Sequence, residues 1–135
     1  LEQGTPETAA ETGANVGVEI SANGKRLCFV PGAAAVTPAL KERLARADAT
    51  LFDGTLFSDD EMIASGTGQK TGRRMGHMPV GDADGSLAAL AGIGKRRIYI
   101  HINNTNPMLI EGSPERRRVE AAGFEIAADG MEILL

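Results

Sequence analysis

The sequence predicts an α/β layer structure, and three observations carry that expectation. Strand-like and helix-like segments alternate along most of the 135 residues, the order that builds a sheet covered by helices. The run Ile98-Tyr99-Ile100 is apolar without a break, as in a strand buried on both faces. An Asn23-Gly24 pair separates two β-patterned segments and supplies the residues a tight hairpin turn needs. Right-handed crossovers join such elements, and the crevice of the resulting sheet opens beyond the carboxyl ends of its strands.

Each element has its own signal. "NVGVEI" places Val16, Val18 and Ile20 at period two, and "KRLCFV" returns as the partner strand. Pro31-Gly32 ends that hairpin. Thr37-Pro38 offers an N-cap and a proline at the first helical position, so "PALKERLARA" is a helix with Leu40 and Leu44 on its buried side. "ATLFDGTLF" is a short buried strand that stops at Asp53-Gly54, and the carboxylates of "SDDEM" suit the start of a helical turn. From Gly66 to Gly81 the chain is too polar and glycine-rich for helix or strand, and loops of that length inside compact domains tend to carry function. "DGSLAALAGIG" is a short helix, "KRRIYIHI" a strand and "NNTNP" a turn. Ser113-Pro114 caps the helix "PERRRVEAAG", and "FEIAADGMEILL" is expected to close as a second hairpin around Asp129-Gly130.

Composition narrows the function classes. Apolar residues make up 42% and aromatic ones 4%, with no tryptophan, so an aliphatic core is expected. A chain of this size buries roughly two-thirds of its unfolded surface. The net charge of -4 argues against a nucleic-acid partner, whose binding would need an excess of Lys and Arg. The single cysteine, Cys28, cannot close an internal disulfide and sits in "RLCFV" as a small buried hydrophobe, which fits a reducing compartment. No apolar run approaches the roughly 18 to 20 residues that span a bilayer, so no membrane partner and a cytoplasmic location are expected. Residues 1–15, "LEQGTPETAAETGAN", read like the middle of a longer chain, and residues 1–135 are expected to be part of a single domain.

The chemistry-bearing residues are few. Two histidines are present: His77 in the glycine-rich stretch "GRRMGHMPVG" and His101 at the end of "IYIHI". Asp53 ends one buried strand and His101 another, and the loop bearing His77 runs between them, so all three are expected on one rim of the sheet. A carboxylate with two imidazoles suits Zn, Fe or Mn, and with open positions it is the donor set of non-haem iron oxygen chemistry. The same set also serves hydrolysis, where the metal acidifies its water and a histidine moves the proton. The plainer alternative is a satisfied histidine at a strand end and an aspartate that forms a turn before glycine. "GTGQKTGR" lacks the spacing of a phosphate loop, and "KTG" has no accompanying Ser-x-x-Lys. The triplets Lys95-Arg96-Arg97 and Arg116-Arg117-Arg118 are expected to be solvated faces. Arg73 and Arg74 precede His77 and suit an anionic substrate.

The strings "LFDGTLFSDDEM", "GTGQKTGRRMGHMP", "IHINNTNPML", "SPER" and "DGMEI" resemble the carboxyl-terminal half of the pyrroloquinoline quinone biosynthesis protein B family. That resemblance implies a metallo-β-lactamase fold, a four-layer αββα sandwich of which this chain supplies about one half. By the same resemblance Asp53 and His101 would be metal ligands, and His77 would position or deprotonate the substrate. Lys70, Arg73 and Asn104 would meet the carboxylates of a dipeptide-like precursor. It implies Fe(II), or else Zn, and hydroxylation of the tyrosine ring in a crosslinked Glu-Tyr precursor. A carrier that delivers the quinone or its precursor to the periplasm is the rival reading, and a metal-dependent hydrolase the third. The superfamily's His-x-His-x-Asp-His motif belongs to the other half and is absent here. The uncovered sheet face is then expected to contact that half or a second copy of the chain.

Overall fold

The computed structural model describes residues 15–135, and within them a single five-stranded sheet forms the scaffold. Strands β1 (Val18–Ala22), β2 (Lys25–Val30), β3 (Ala49–Asp53), β4 (Arg96–Ile100) and β5 (Glu125–Ile126) lie side by side in sequence order. Strands β1 and β2 are the expected antiparallel hairpin, turning at Asn23 and Gly24, both in the left-handed region with φ of 50° and 74°. From β2 to β5 every neighbour is parallel.

That sequential parallel order determines where the helices go. Crossovers of one hand that always step the same way along the sheet lay every helix on the same face. Helix α1 (Pro38–Ala45) joins β2 to β3; α2 (Glu61–Ala64) and α3 (Ser86–Ala89) lie between β3 and β4; α4 (Pro114–Ala121) joins β4 to β5. One apolar cluster accordingly unites Cys28, Val30, Phe52 and Tyr99 of the sheet with Leu44 of α1, Leu87 and Leu90 of and beside α3, and Val119 of α4. Tyr99 stacks on Phe124 at 4.9 Å. Burial also pushes the Tyr99 phenol far above its ordinary pKa and keeps it neutral. The Cys28 thiol is buried and raised for the same reason.

The opposite face is covered unevenly: Ile98 of β4 is fully buried there, whereas the β1 side lies open. Val18, Phe29 and Leu51 stand in one cross-strand row and Ile20 pairs with Leu27 in the next, yet Val18 and Ile20 are 48% and 54% exposed. One sheet and one helix layer make a two-layer αβ unit, the half of an αββα sandwich that the sequence leads one to expect.

The caps are as anticipated. Thr37 Oγ1 accepts from Leu40 N at 3.2 Å and Ser113 Oγ from Arg116 N at 3.0 Å, each followed by proline. Two expectations need correction. Residues 124–135 do not form a hairpin: β5 is two residues long and pairs with β4, and Asp129-Gly130 turns the chain without a return strand. A two-residue ladder followed by Ala127 and Ala128 gives a returning strand neither register nor side chains to pack on. The basic triplets are also more engaged than a solvated face. Arg96 grips Glu125 at 2.6 and 2.8 Å, Arg97 lies 4.5 Å over the Phe124 ring, and Arg116 reaches Glu120 at 2.8 Å.

Candidate functional site

Strands β3 and β4 pair in parallel with Asp53 opposite Ile100, so Asp53 and the next residue, His101, leave the sheet at the same end. His101 takes a left-handed backbone at φ 54°, a conformation that few non-glycine residues adopt and that often marks a functional position. It turns the chain sharply at the strand end and leaves the ring 52% exposed.

His77 arrives from the other direction. The glycine-rich segment is the expected loop, with one 3-10 turn at Arg73–Met75. Gly76 closes that turn at φ 87°, and Asp59 holds it by accepting from Arg73 N at 2.8 Å. Met78, Pro79 and Val80 then sink into the interior, with Met78 N bonded to Ala33 O at 2.7 Å. The imidazole of His77 is thereby delivered to the rim, 2.7 Å from Asp53 and stacked on His101 with ring centroids 5.3 Å apart.

Asp53 is fully buried, and its carboxylate is the hub of the site. One oxygen accepts from Ala33 N at 2.9 Å and lies 2.7 Å from His77 Nδ1; the other accepts from Thr55 N at 3.1 Å and from the Thr55 hydroxyl at 2.5 Å. His101 Nδ1 stands 3.7 Å from that second oxygen. Four donors around a buried carboxylate offset most of its desolvation. The hydrogen bond to Asp53 holds the His77 imidazole above its ordinary pKa, against the opposing pull of burial.

The donor set fits a metal ion. Asp53, His77 and His101 each offer one ligand atom, and these atoms all lie within 4.8 Å of one another. One carboxylate and two imidazoles suit Zn, Fe or Mn. Two of the contacts on Asp53 are fixed backbone N–H groups, and the His77 ring can turn aside to free a lone pair for an ion.

The remaining expected residues do not join this cluster as closely. The Arg73 guanidinium donates to Asp84 at 2.7 Å, and Lys70 and Asn104 are exposed on their loops. Residues that the sequence did not single out do more. Thr55 contacts Asp53 and both histidines. Buried Asn106 donates to Gly54 O at 2.9 Å and caps Met108 N at 3.0 Å, while Glu61 accepts from Phe57 N and from the Thr105 hydroxyl, both at 2.6 Å. Together they clamp the loop after β3 to the loop after β4, fixing Asp53 and His101 in relation to each other.

Comparison with known proteins identifies the relatives of the chain. Residues 1–102 match the family model of the β-lactamase superfamily domain. The coenzyme PQQ synthesis protein B of Methylobacterium nodulans is 57% identical over the whole chain, which covers 46% of that relative. The protein of the same name from Rhizobium meliloti is 58% identical, with 45% of its length covered. The chain therefore spans about half the length of the curated relatives it matches. The crystal structure of Zn(2+)-bound PqqB from Methylobacterium extorquens superposes with a TM-score of 0.90 at 55% identity, over 93% of this chain and 42% of that one.

Proposed function

The chain belongs to the β-lactamase superfamily and, within it, to the coenzyme PQQ synthesis protein B family, and on that premise we propose that its three-residue cluster is part of a metal-dependent active centre in the making of that coenzyme. The observation that carries the reading is the convergence of Asp53, His77 and His101 within ligand distance at the carboxyl end of the sheet. Asp53 and His101 would hold the ion. The bound metal supplies Lewis acidity and, if it is Fe(II), access to oxygen chemistry.

The chain's own residues account for the rest. His77, half-buried and tied to Asp53, holds or moves the proton of a substrate hydroxyl at the rim. The hydrogen bond to Asp53 raises the His77 pKa and so favours the protonated ring that a proton donor needs. The exposed Lys70 and Asn104, and Arg73 on release from Asp84, would meet the carboxylates of a small, dipeptide-like precursor. In this reading the reaction is hydroxylation of a tyrosine ring in a crosslinked Glu-Tyr precursor, carried out in the cytoplasm.

The experiment is an anaerobic Fe(II) titration of the natural full-length protein, followed by oxygen and precursor. Product heavier by one oxygen supports the hydroxylase. Tightly held but unchanged ligand supports a carrier of the quinone or its precursor, and cleaved ligand supports a hydrolase.

A further inference from the structure

The Thr55 hydroxyl lies at the centre of the site, 2.5 Å from Asp53 Oδ1, 2.8 Å from His101 Nδ1 and 3.1 Å from His77 Nδ1. A hydroxyl has one hydrogen to give and two lone pairs with which to accept. A carboxylate can only accept. The short contact to Asp53 therefore uses the Thr55 hydrogen, and Thr55 meets His101 as an acceptor. That arrangement is complete only if His101 carries its proton on Nδ1. His77 is constrained in parallel, because its Nδ1 faces the second Asp53 oxygen at 2.7 Å and must donate to it.

From this chain of donors and acceptors we propose that Thr55 is a positioning residue: it fixes His101 as the Nδ1–H tautomer and so leaves Nε2 as the atom offered to a metal ion. Asp53 sets the tautomer of His77 directly, but it reaches His101 only through the Thr55 hydroxyl, since Asp53 and His101 Nδ1 are 3.7 Å apart. The placement of Thr55 is itself secured without its side chain. Its N–H donates to Asp53, its carbonyl accepts from Asn103 N at 3.0 Å, and Asn106 holds the preceding Gly54 carbonyl. Replacing the hydroxyl alone therefore leaves the backbone of the turn in place.

The inference rests on the metal reading for its purpose but not for its test. In the metal-free, full-length protein, labelled with 15N in histidine and kept at alkaline pH where the rings are neutral, two-bond nitrogen–proton correlations report the tautomer of each ring. The expected result is Nδ1–H at both histidines in the wild type, loss of the fixed tautomer at His101 alone in the isosteric Thr55→Val, and its return in Thr55→Ser. Titration with Zn2+ should then show affinity about 10- to 100-fold weaker in Thr55→Val, the usual cost of losing a partner that orients a metal-bound histidine, with recovery in Thr55→Ser. A wild-type His101 protonated on Nε2, or one unchanged by Thr55→Val, overturns the assignment of Thr55 even if Zn2+ binds tightly. A fixed His101 tautomer in a protein that takes up no Zn2+ upholds that assignment and overturns the metal reading instead.

Discussion

Two aspartates flank β3, five positions apart, and their fates differ. Asp48, just before the strand, accepts from Arg26 N at 2.9 Å and from Lys95 Nζ at 2.7 Å, and the Lys95 side chain is 76% exposed. Asp53, the last residue of the strand, is fully buried and has imidazoles for partners. Both carboxylates tie neighbouring strands together. At the amino end the partner is a permanent cation in water, which needs nothing further. At the carboxyl end the partners are groups that exchange protons and ligate metals, held in a left-handed turn and a glycine-closed loop. The difference teaches that an acid used as a structural tie and an acid used as a site are separated by burial and by the kind of partner.

Substitutions at the two ends should therefore differ in scale. The largest effect is expected from Asp53→Ala, which strands two backbone N–H groups and the Thr55 hydroxyl in the interior. At about 1–3 kcal/mol for each unsatisfied buried group, partly relieved by water, a loss of about 3–5 kcal/mol in urea denaturation of the full-length protein is expected. An Asp53→Ala protein as stable as the wild type would erase the contrast. Next comes His77→Ala, for which turnover should fall by about 100-fold with metal content nearly intact. Metal lost along with turnover would make His77 a third ligand.

Gly54→Ala probes how tightly the site is set on the sheet. A Cβ there would lie 3.0 Å from the Tyr99 Cβ and 3.2 Å from the Ile100 carbonyl, and neither can move freely. A cost of about 1–3 kcal/mol in the same denaturation experiment is expected. His101 tests the strained turn: the glycine variant should be about 1 kcal/mol more stable than the alanine variant, because only glycine is at ease at φ 54°. Equal stabilities would mean the turn relaxes when the ring is removed.

The smallest effect is expected at the other end of the strand. The hydrogen bond from Lys95 holds the Asp48 carboxyl below its ordinary value of 3.8. A lowered folded pKa means that its contribution is complete above 3.8 and is lost as pH falls through the folded value. Asp48→Asn should accordingly flatten only the acid limb of a melting-temperature profile, and added salt should shrink even that.

What could be read from the sequence was local. The Asn23-Gly24 turn, the Thr37-Pro38 and Ser113-Pro114 caps and the unbroken apolar run of β4 each carry their instruction within a few residues. Asp53 and His101 were legible because strand ends in a parallel sheet share an edge. Thr55, Asn106 and Glu61 were not, because each acts through a hydrogen bond to a residue that sequence order does not bring near: Asn106 reaches back 52 positions and Thr105 meets Glu61 across 44. The turn at Asp129-Gly130 was legible and the hairpin was not there, since turn chemistry bends a chain without supplying a strand for it to pair with. Arg73 looked free for a substrate because nothing in its neighbourhood announces Asp84, eleven residues on.

The claim that the carboxyl end of this sheet is a metal centre is tested most directly by anomalous diffraction at the metal edge, on crystals of the full-length protein loaded with Fe(II) or Zn2+. The account predicts a peak within bonding distance of the Asp53 carboxylate and the His101 ring, lost in Asp53→Ala. Metal found only elsewhere, with no density beside Asp53 and His101, would contradict it.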